Sequence, residues 1–364
     1  MTVCCHLATA VGVGTIVRGK ARPWTWGILA LGLLGAAGLN LMAGSLSIGP
    51  VQMIAILLRP LLDLGDVGAH TSAEAAVVWN LRLPRVLGGM LVGAALASAG
   101  AATQGLFRNP LADPALIGVT SGGALGALFG ILGIGMLPTL PLLLSRFAVP
   151  GGALIGAICV ALLIYRLATS HGRTSVTTLL LVGVAINALT GAVIGLAIYG
   201  LASSEDLRSF IFWSLGSLER LTWMELGIGF VIILPAAVAL PSFARSLNLL
   251  LLGEAEAFHL GVPDRTTRHI ITICAALAGT TVALVGTIGF VGLIVPHFAR
   301  RVVGPDHRKL IAASATGGAI LILIADTIAR TIVAPGILPI GVLTALAGAP
   351  FFLVLLRQKT NSND

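Results

Sequence analysis

Charge is what this chain has least of. Asp, Glu, Lys and Arg make up 10% of its 364 residues, against about 25% in ordinary soluble domains. Hydrophobic residues make up 57%, and the mean hydropathy is +1.01. That balance excludes a soluble globular protein and implies a bundle of membrane helices. Lysine is scarcer still: Lys20, Lys309 and Lys359 are the whole set. None follows Gly and precedes Ser or Thr, so the chain has no phosphate-binding loop of its own. The four cysteines, Cys4, Cys5, Cys159 and Cys274, show no CxxC spacing. Neither a zinc site nor a disulfide framework follows from them. Carboxylates inside the apolar runs are nearly absent. Asp326 is the main candidate, and it lies near the end of its run. An ion-coupled carrier would want such groups at mid-membrane depth. An intramembrane enzyme would need catalytic groups converging at one depth, and no Ser/His/Asp set can be assigned.

What is present is apolar length, glycine and arginine. Runs near 24–44, 86–106, 114–138, 148–168, 178–200, 223–243, 269–287, 289–303, 310–333 and 338–356 approach the ~20 residues of a membrane span. The sequence predicts about ten spans in one domain over 1–364, with both termini in the cytoplasm. Only the glycine-rich Gly286–Gly289 stretch divides the seventh run from the eighth. The net charge of +8 reads as loop arginine following the positive-inside bias, not as a nucleic-acid surface. With the N-terminus inside, Arg59, Arg82, Arg85, Arg146, Arg208, Arg220 and Arg330 fall outside. The remaining basic residues, the larger share of the 22, fall inside. Gly89, Gly93, Ala97, Ala101 and Gly105 form a smooth ridge at fourth positions, read as close helix packing.

The stretch 245–268, RSLNLLLLGEAEAFHLGVPDRTTR, interrupts this apolar pattern. A short charged amphipathic segment between two long spans reads as a docking surface for a soluble partner. Within it, Glu256 and His259 have the spacing of metal-binding helices. One such pair without further carboxylates reads as a solvated face, so no metal site is expected. His297, after Pro296, reads as a packing or hydrogen-bonding residue. Asn109-Pro110-Leu111-Ala112-Asp113-Pro114 bars a continuous helix and imposes a turn at the inner boundary, either an ordinary turn or a gate. Arg82, Arg85 and Arg330 at outer span ends suit either carboxylate capture from a partner or interfacial snorkelling.

Nine segments in order resemble one family: RLPR (82–85), GLFRNPLADPALIG (105–118), LLLVGVAINAL (179–189), FWSLGSL (212–218), LNLLLLGEAEAFHLGV (248–262), GFVGLIVPHFAR (289–300), DHRKL (306–310), ADTIAR (325–330) and PIGVLTALAGAPFFLVLL (339–356). They are similar to the permease subunits of binding-protein-dependent ABC importers for iron-siderophores, heme and cobalamin. The resemblance, to the FecCD-type or type II importers, covers roughly residues 80–357.

It implies an all-α, ten-helix permease of the bacterial inner membrane, working as a homodimer without catalysis of its own. Two ATPase subunits, carrying ATP and Mg, would dock on the cytoplasmic face, and a periplasmic binding protein outside. No cofactor would be held by this chain. Arg82, Arg85 and Arg330 match the arginines that receive binding-protein glutamates. Gly253, Glu254, Glu256, His259 and Gly261 fall in the segment matching the coupling helices. Asn109 and Leu111 match one cytoplasmic gate element, and Val176 and Thr177 approximately match the other. The span around Asn187 would line the central path. The run 172–192 is most similar to heme-importer permeases, so heme is the expected cargo, with ferric siderophore and cobalamin as alternatives. Arg173, by charge alone, is a candidate propionate contact.

Overall fold

The computed structural model describes residues 23–361, apart from 45, 47, 60–70, 137–140, 171–172, 264, 334–335 and 337. It is helical throughout. Among the described residues the only β pairing is a hairpin of two-residue strands, β1 (Thr169–Ser170) and β2 (Arg173–Thr174).

All ten expected spans are helices. Eight are long and apolar enough to cross a membrane. They include α1 (Pro23–Met42), α4 (Leu83–Leu106), α5 (Val119–Met136), α6 (Leu142–Ala168), α7 (Val176–Leu201), α9 (Trp223–Ala239), α12 (Arg265–Val285) and α14 (His307–Ile332). The other two have shorter apolar stretches. Helix α13 (Val291–Val303) has 13 residues, about 20 Å at 1.5 Å per residue, and falls short of a ~30 Å apolar layer. The apolar part of α15 (Ile340–Asn361) runs over Ile340–Val354. The division expected at Gly286–Gly289 is where the structure breaks, between Val285 and Val291. Phe290 opens α13 with φ 67°, and its ring lies where a Cβ on Gly348 would be, 2.3 Å from Cγ.

Short helices join the spans. Helix α2 (Pro50–Leu58) follows α1, and α3 (Ser72–Val77) runs on through a π-helical turn, Val78–Arg82, into α4. Thr71 and Glu74 start α3 with a capping box, each satisfying an otherwise free N–H. Ser203 and Asp206 do the same for α8 (Ser204–Ser214). The 245–268 segment folds as α10 (Ala244–Leu250), then α11 (Glu254–His259), then the start of α12.

Glycine decides where spans meet. A Cβ on Gly93 would lie 2.2 Å from the Gly318 carbonyl oxygen, so α4 and α14 touch backbone to backbone. Two turns further along α4, a Cβ on Gly100 would lie 2.0 Å from the Gly292 oxygen of α13. Helices α5 and α6 interlock in the same manner, Gly126 against Gly152 and Gly122 against Gly156. This is small-residue packing, which replaces the hydrophobic drive that lipid removes. It centres the molecule on α4, whose residues from Val92 to Leu106 are almost all buried. Helices α4 and α14 run antiparallel, so Gly105 meets His307 at the end carrying α11, and Arg85 meets Asp326 at the other.

Candidate functional site

At the Arg85 end the three arginines picked out by sequence come together, but not as free surface charges. Arg85 donates from Nε and Nη2 to the Asp326 carboxylate, at 3.1 and 2.7 Å. Arg330, one turn beyond Asp326, reaches the same carboxylate at 3.2 Å. Arg82 donates to the Leu41 and Met42 carbonyls at 2.7 and 3.2 Å and to that of Leu46. Arg330 also donates to the Asn40 and Ala43 carbonyls at 2.9 and 3.0 Å. The last carbonyls of a helix have no partner within it and carry its negative dipole end. Arg82 and Arg330 therefore cap the C-terminus of α1. Asn40 closes the cluster, donating to the Leu323 carbonyl at 2.9 Å and to Asp326 at 3.0 Å. Arg82, Arg85 and Asp326 are all buried. All three guanidiniums thus find acceptors within the chain itself. Asp326 and the end of α1 gather them inward because neither a carboxylate nor bare carbonyls are tolerated unpaired at this depth. Reversing the charge of Arg82 and Arg85 would set a carboxylate against the α1 carbonyls and another against Asp326, and so disturb folding before docking.

The opposite end is built around α10 and α11. Gly253 opens α11 with φ 130°, a conformation side chains rarely adopt, and a Cβ there would lie 2.1 Å from the Glu256 carboxylate. The helix is anchored by Ala257, which is buried, while Glu254, Glu256, His259 and Gly261 are exposed. Leu251, Leu252, Phe258 and Leu260 are exposed beside them. Apolar side chains clustered around a short polar helix outside the spans form a surface suited to a protein partner.

Behind α11, Asn248 of α10 is a hub. Its Oδ1 accepts from the His307 backbone N–H at 3.0 Å and from ring Nδ1 at 2.7 Å, and its Nδ2 donates to Asp306 at 2.7 Å. Asp306 caps α14 through the Arg308 N–H at 3.1 Å. Burial alone would raise the Asp306 pKa. The Asn248 and Arg308 hydrogen bonds, with the charges of Arg308 and Lys309, outweigh that and hold it below the usual carboxylate range. The hub thus fixes the start of α14 to the root of the α11 segment.

The two expected gate elements lie beside α11. Asn109 folds its own turn, its Oδ1 accepting the Leu111 N–H at 3.0 Å. Asp113 accepts the Ala115 N–H at 2.9 Å and starts a single 3-10 turn, Pro114–Ile117. Burial raises the Asp113 pKa, partly offset by that N–H. Val176 and Thr177 are the first residues of α7, whose N-cap is Ser175. Asn187 is engaged from α7 with Ser121 and with the Ala115 carbonyl, 3.4 Å away, so it ties α7 to α5. The Arg173 side chain lies outside the described residues. His297 packs against Phe298 and Phe351 at 6.0 and 5.9 Å, the packing role expected of it. Sequence reasoning missed Asn40 and Asn248, and assigned Asp326 no role in the cluster. The i, i+4 pairing of Asp326 with Arg330 was the readable signal for the last of these.

The architecture is that of a polytopic permease. The chain belongs to the FecCD transport family, which matches residues 31–358, and it is a permease subunit of an ABC importer. It is 46% identical over 295 residues to the hemin transport system permease protein of Yersinia pestis, covering 80% of this chain and 87% of that one. It is 44% identical to the cobalamin import system permease protein of Halobacterium salinarum, covering 78% and 74%. With the vitamin B12 import permease of Citrobacter koseri it shares 40% identity, covering 86% and 93%. Among solved structures, an inward-facing conformation of a metal-chelate type ABC transporter is similar at 32% identity and a TM-score of 0.78, covering 93% of this chain and all of that one.

Proposed function

We propose that this chain carries heme across the bacterial inner membrane, as one of two identical permease subunits driven by two separate ATPase subunits. The observation that carries the reading is the 46% identity to a hemin permease, joined to an exposed apolar surface around α11 suited to a partner. The termini face the cytoplasm, and ATPase docking falls at the α11 end, with ATP and Mg held by that partner. A periplasmic binding protein docks at the Arg85 end. There the buried arginines shape the surface that receives it. Helix α7 leaves Leu181, Val184, Leu189, Leu196 and Tyr199 exposed, Tyr199 at 92%. An apolar face this bare is covered by lipid or by a second copy, and α7 supplies the wall of a path between two copies.

A bulky ligand cannot cross a sealed apolar bundle, so two conformations alternate. ATP binding draws the partner subunits together, α11 is displaced, and the hub at Asn248 passes that motion to α14. The path itself binds weakly, and affinity resides in the outer protein. Cargo is tested by reconstituting the permease with its ATPase and binding protein and offering heme, a ferric siderophore and cobalamin in parallel. Heme alone is expected to accumulate with ATP. Accumulation of another ligand instead would discard heme and keep the importer.

A further inference from the structure

Glu254 does not point only toward a docking partner. Its Oε1 accepts the backbone N–H of Val176, 78 residues earlier in the chain, at 3.2 Å. The same oxygen lies 3.9 Å from Arg108 Nη2. One carboxylate on the first turn of α11 thus meets both expected gate elements: the first turn of α7, and the turn holding Asn109 and Leu111.

We infer that Glu254 is a positioning residue that fastens the coupling segment to both gate elements of its own subunit. The chemistry favours the Val176 contact. The first N–H groups of a helix have no internal acceptor, and the positive dipole end of the 26-residue α7 attracts a carboxylate. The Ser175 hydroxyl accepts the Thr178 N–H, at 3.4 Å, and Glu254 satisfies a second first-turn donor from outside the helix. The contact to Arg108 is longer and half-exposed on both sides, and serves as a guide. A push on α11 then reaches α7 through one charge-assisted bond, without passing through the spans between. The inference rests on the importer reading for its purpose, but the contact itself lies within a single subunit.

The test has two parts. On the purified permease, hydrogen–deuterium exchange is followed in the peptide spanning 174–180. Glu254→Ala is expected to speed exchange at the start of α7 by about tenfold, the worth of a hydrogen bond to a charged group. Glu254→Gln retains a carbonyl oxygen for Val176 and is expected to stay within about threefold of the parent, and Arg108→Ala likewise. On the reconstituted complex, Glu254→Ala is expected to lower transport per ATP hydrolysed about tenfold, with Glu254→Gln largely restoring it. Unchanged exchange in Glu254→Ala overturns the proposal. So does faster exchange with undiminished transport per ATP. Loss of ATPase binding with normal exchange overturns it too, and assigns Glu254 to the partner surface. If the parent complex transports nothing with ATP, the importer reading fails while the exchange result still decides the contact.

Discussion

Replacing Asp326 with Ala is expected to lower the stability of the purified permease by about 3–5 kcal/mol, the cost of breaking a buried ion pair by removing one partner. Asp326 is 0% exposed and is the sole carboxylate that Arg85 and Arg330 meet among the described residues. Without it, two buried guanidiniums face each other beside Arg82 with no counter-charge. The loss should appear as a large fall in the thermal midpoint of the full-length protein in detergent. Asp326→Asn keeps the shape and one accepting oxygen, and should fall between the parent and Asp326→Ala. Arg85→Met added to Asp326→Ala should recover part of the loss, because it removes a charge that the first substitution orphaned. Recovery stays partial while Arg330 lacks its carboxylate. A midpoint for Asp326→Ala equal to the parent's would mean that the cluster adds nothing to the fold.

Gly253→Val should produce the opposite profile: intact spans with transport reduced tenfold or more. A φ of 130° is strained for any branched side chain, and the Glu256 carboxylate, 2.1 Å from where a Cβ would stand, must also swing away. The strain is of the order of 1–3 kcal/mol. Helix α11 has only 6 residues and lies outside the spans, so the strain is relieved by displacing α11 and not by unfolding the bundle. The expected result is a midpoint near that of the parent, ATPase that hydrolyses without matching uptake, and transport per ATP down by tenfold or more. Undiminished transport would remove α11 from the drive.

The spans were legible because hydropathy reports on lipid contact residue by residue, and the break at Gly286–Gly289 was visible as a glycine run. Packing partners were not. Gly93 reads as a small residue in sequence, but only the fold shows that the backbone of Gly318 meets it. The arginines mark the limit most clearly. Arg82, Arg85 and Arg330 stand out in the sequence as arginines at outer span ends, yet whether a guanidinium faces a partner or an internal acceptor depends on groups far away in sequence. Leu41, Met42 and Asp326 supply those acceptors, at separations of 41, 40 and 241 residues. The segment 245–268 was legible as an interruption of apolar pattern. Its inward contacts, Glu254 to Val176 and Asn248 to His307, leave no mark on periodicity, because each joins residues more than fifty positions apart.

The central claim is that transport is driven by ATP from the α11 end and not by an ion gradient across the bundle. The direct measurement is ligand uptake into proteoliposomes holding the permease, its ATPase and its binding protein, with ATP supplied and all ion gradients collapsed by ionophores, compared with gradients imposed and ATP withheld. Uptake in the first condition and none in the second is the predicted result. Uptake that follows the gradient and ignores ATP would contradict the account and return Asp326 to consideration as a coupling carboxylate.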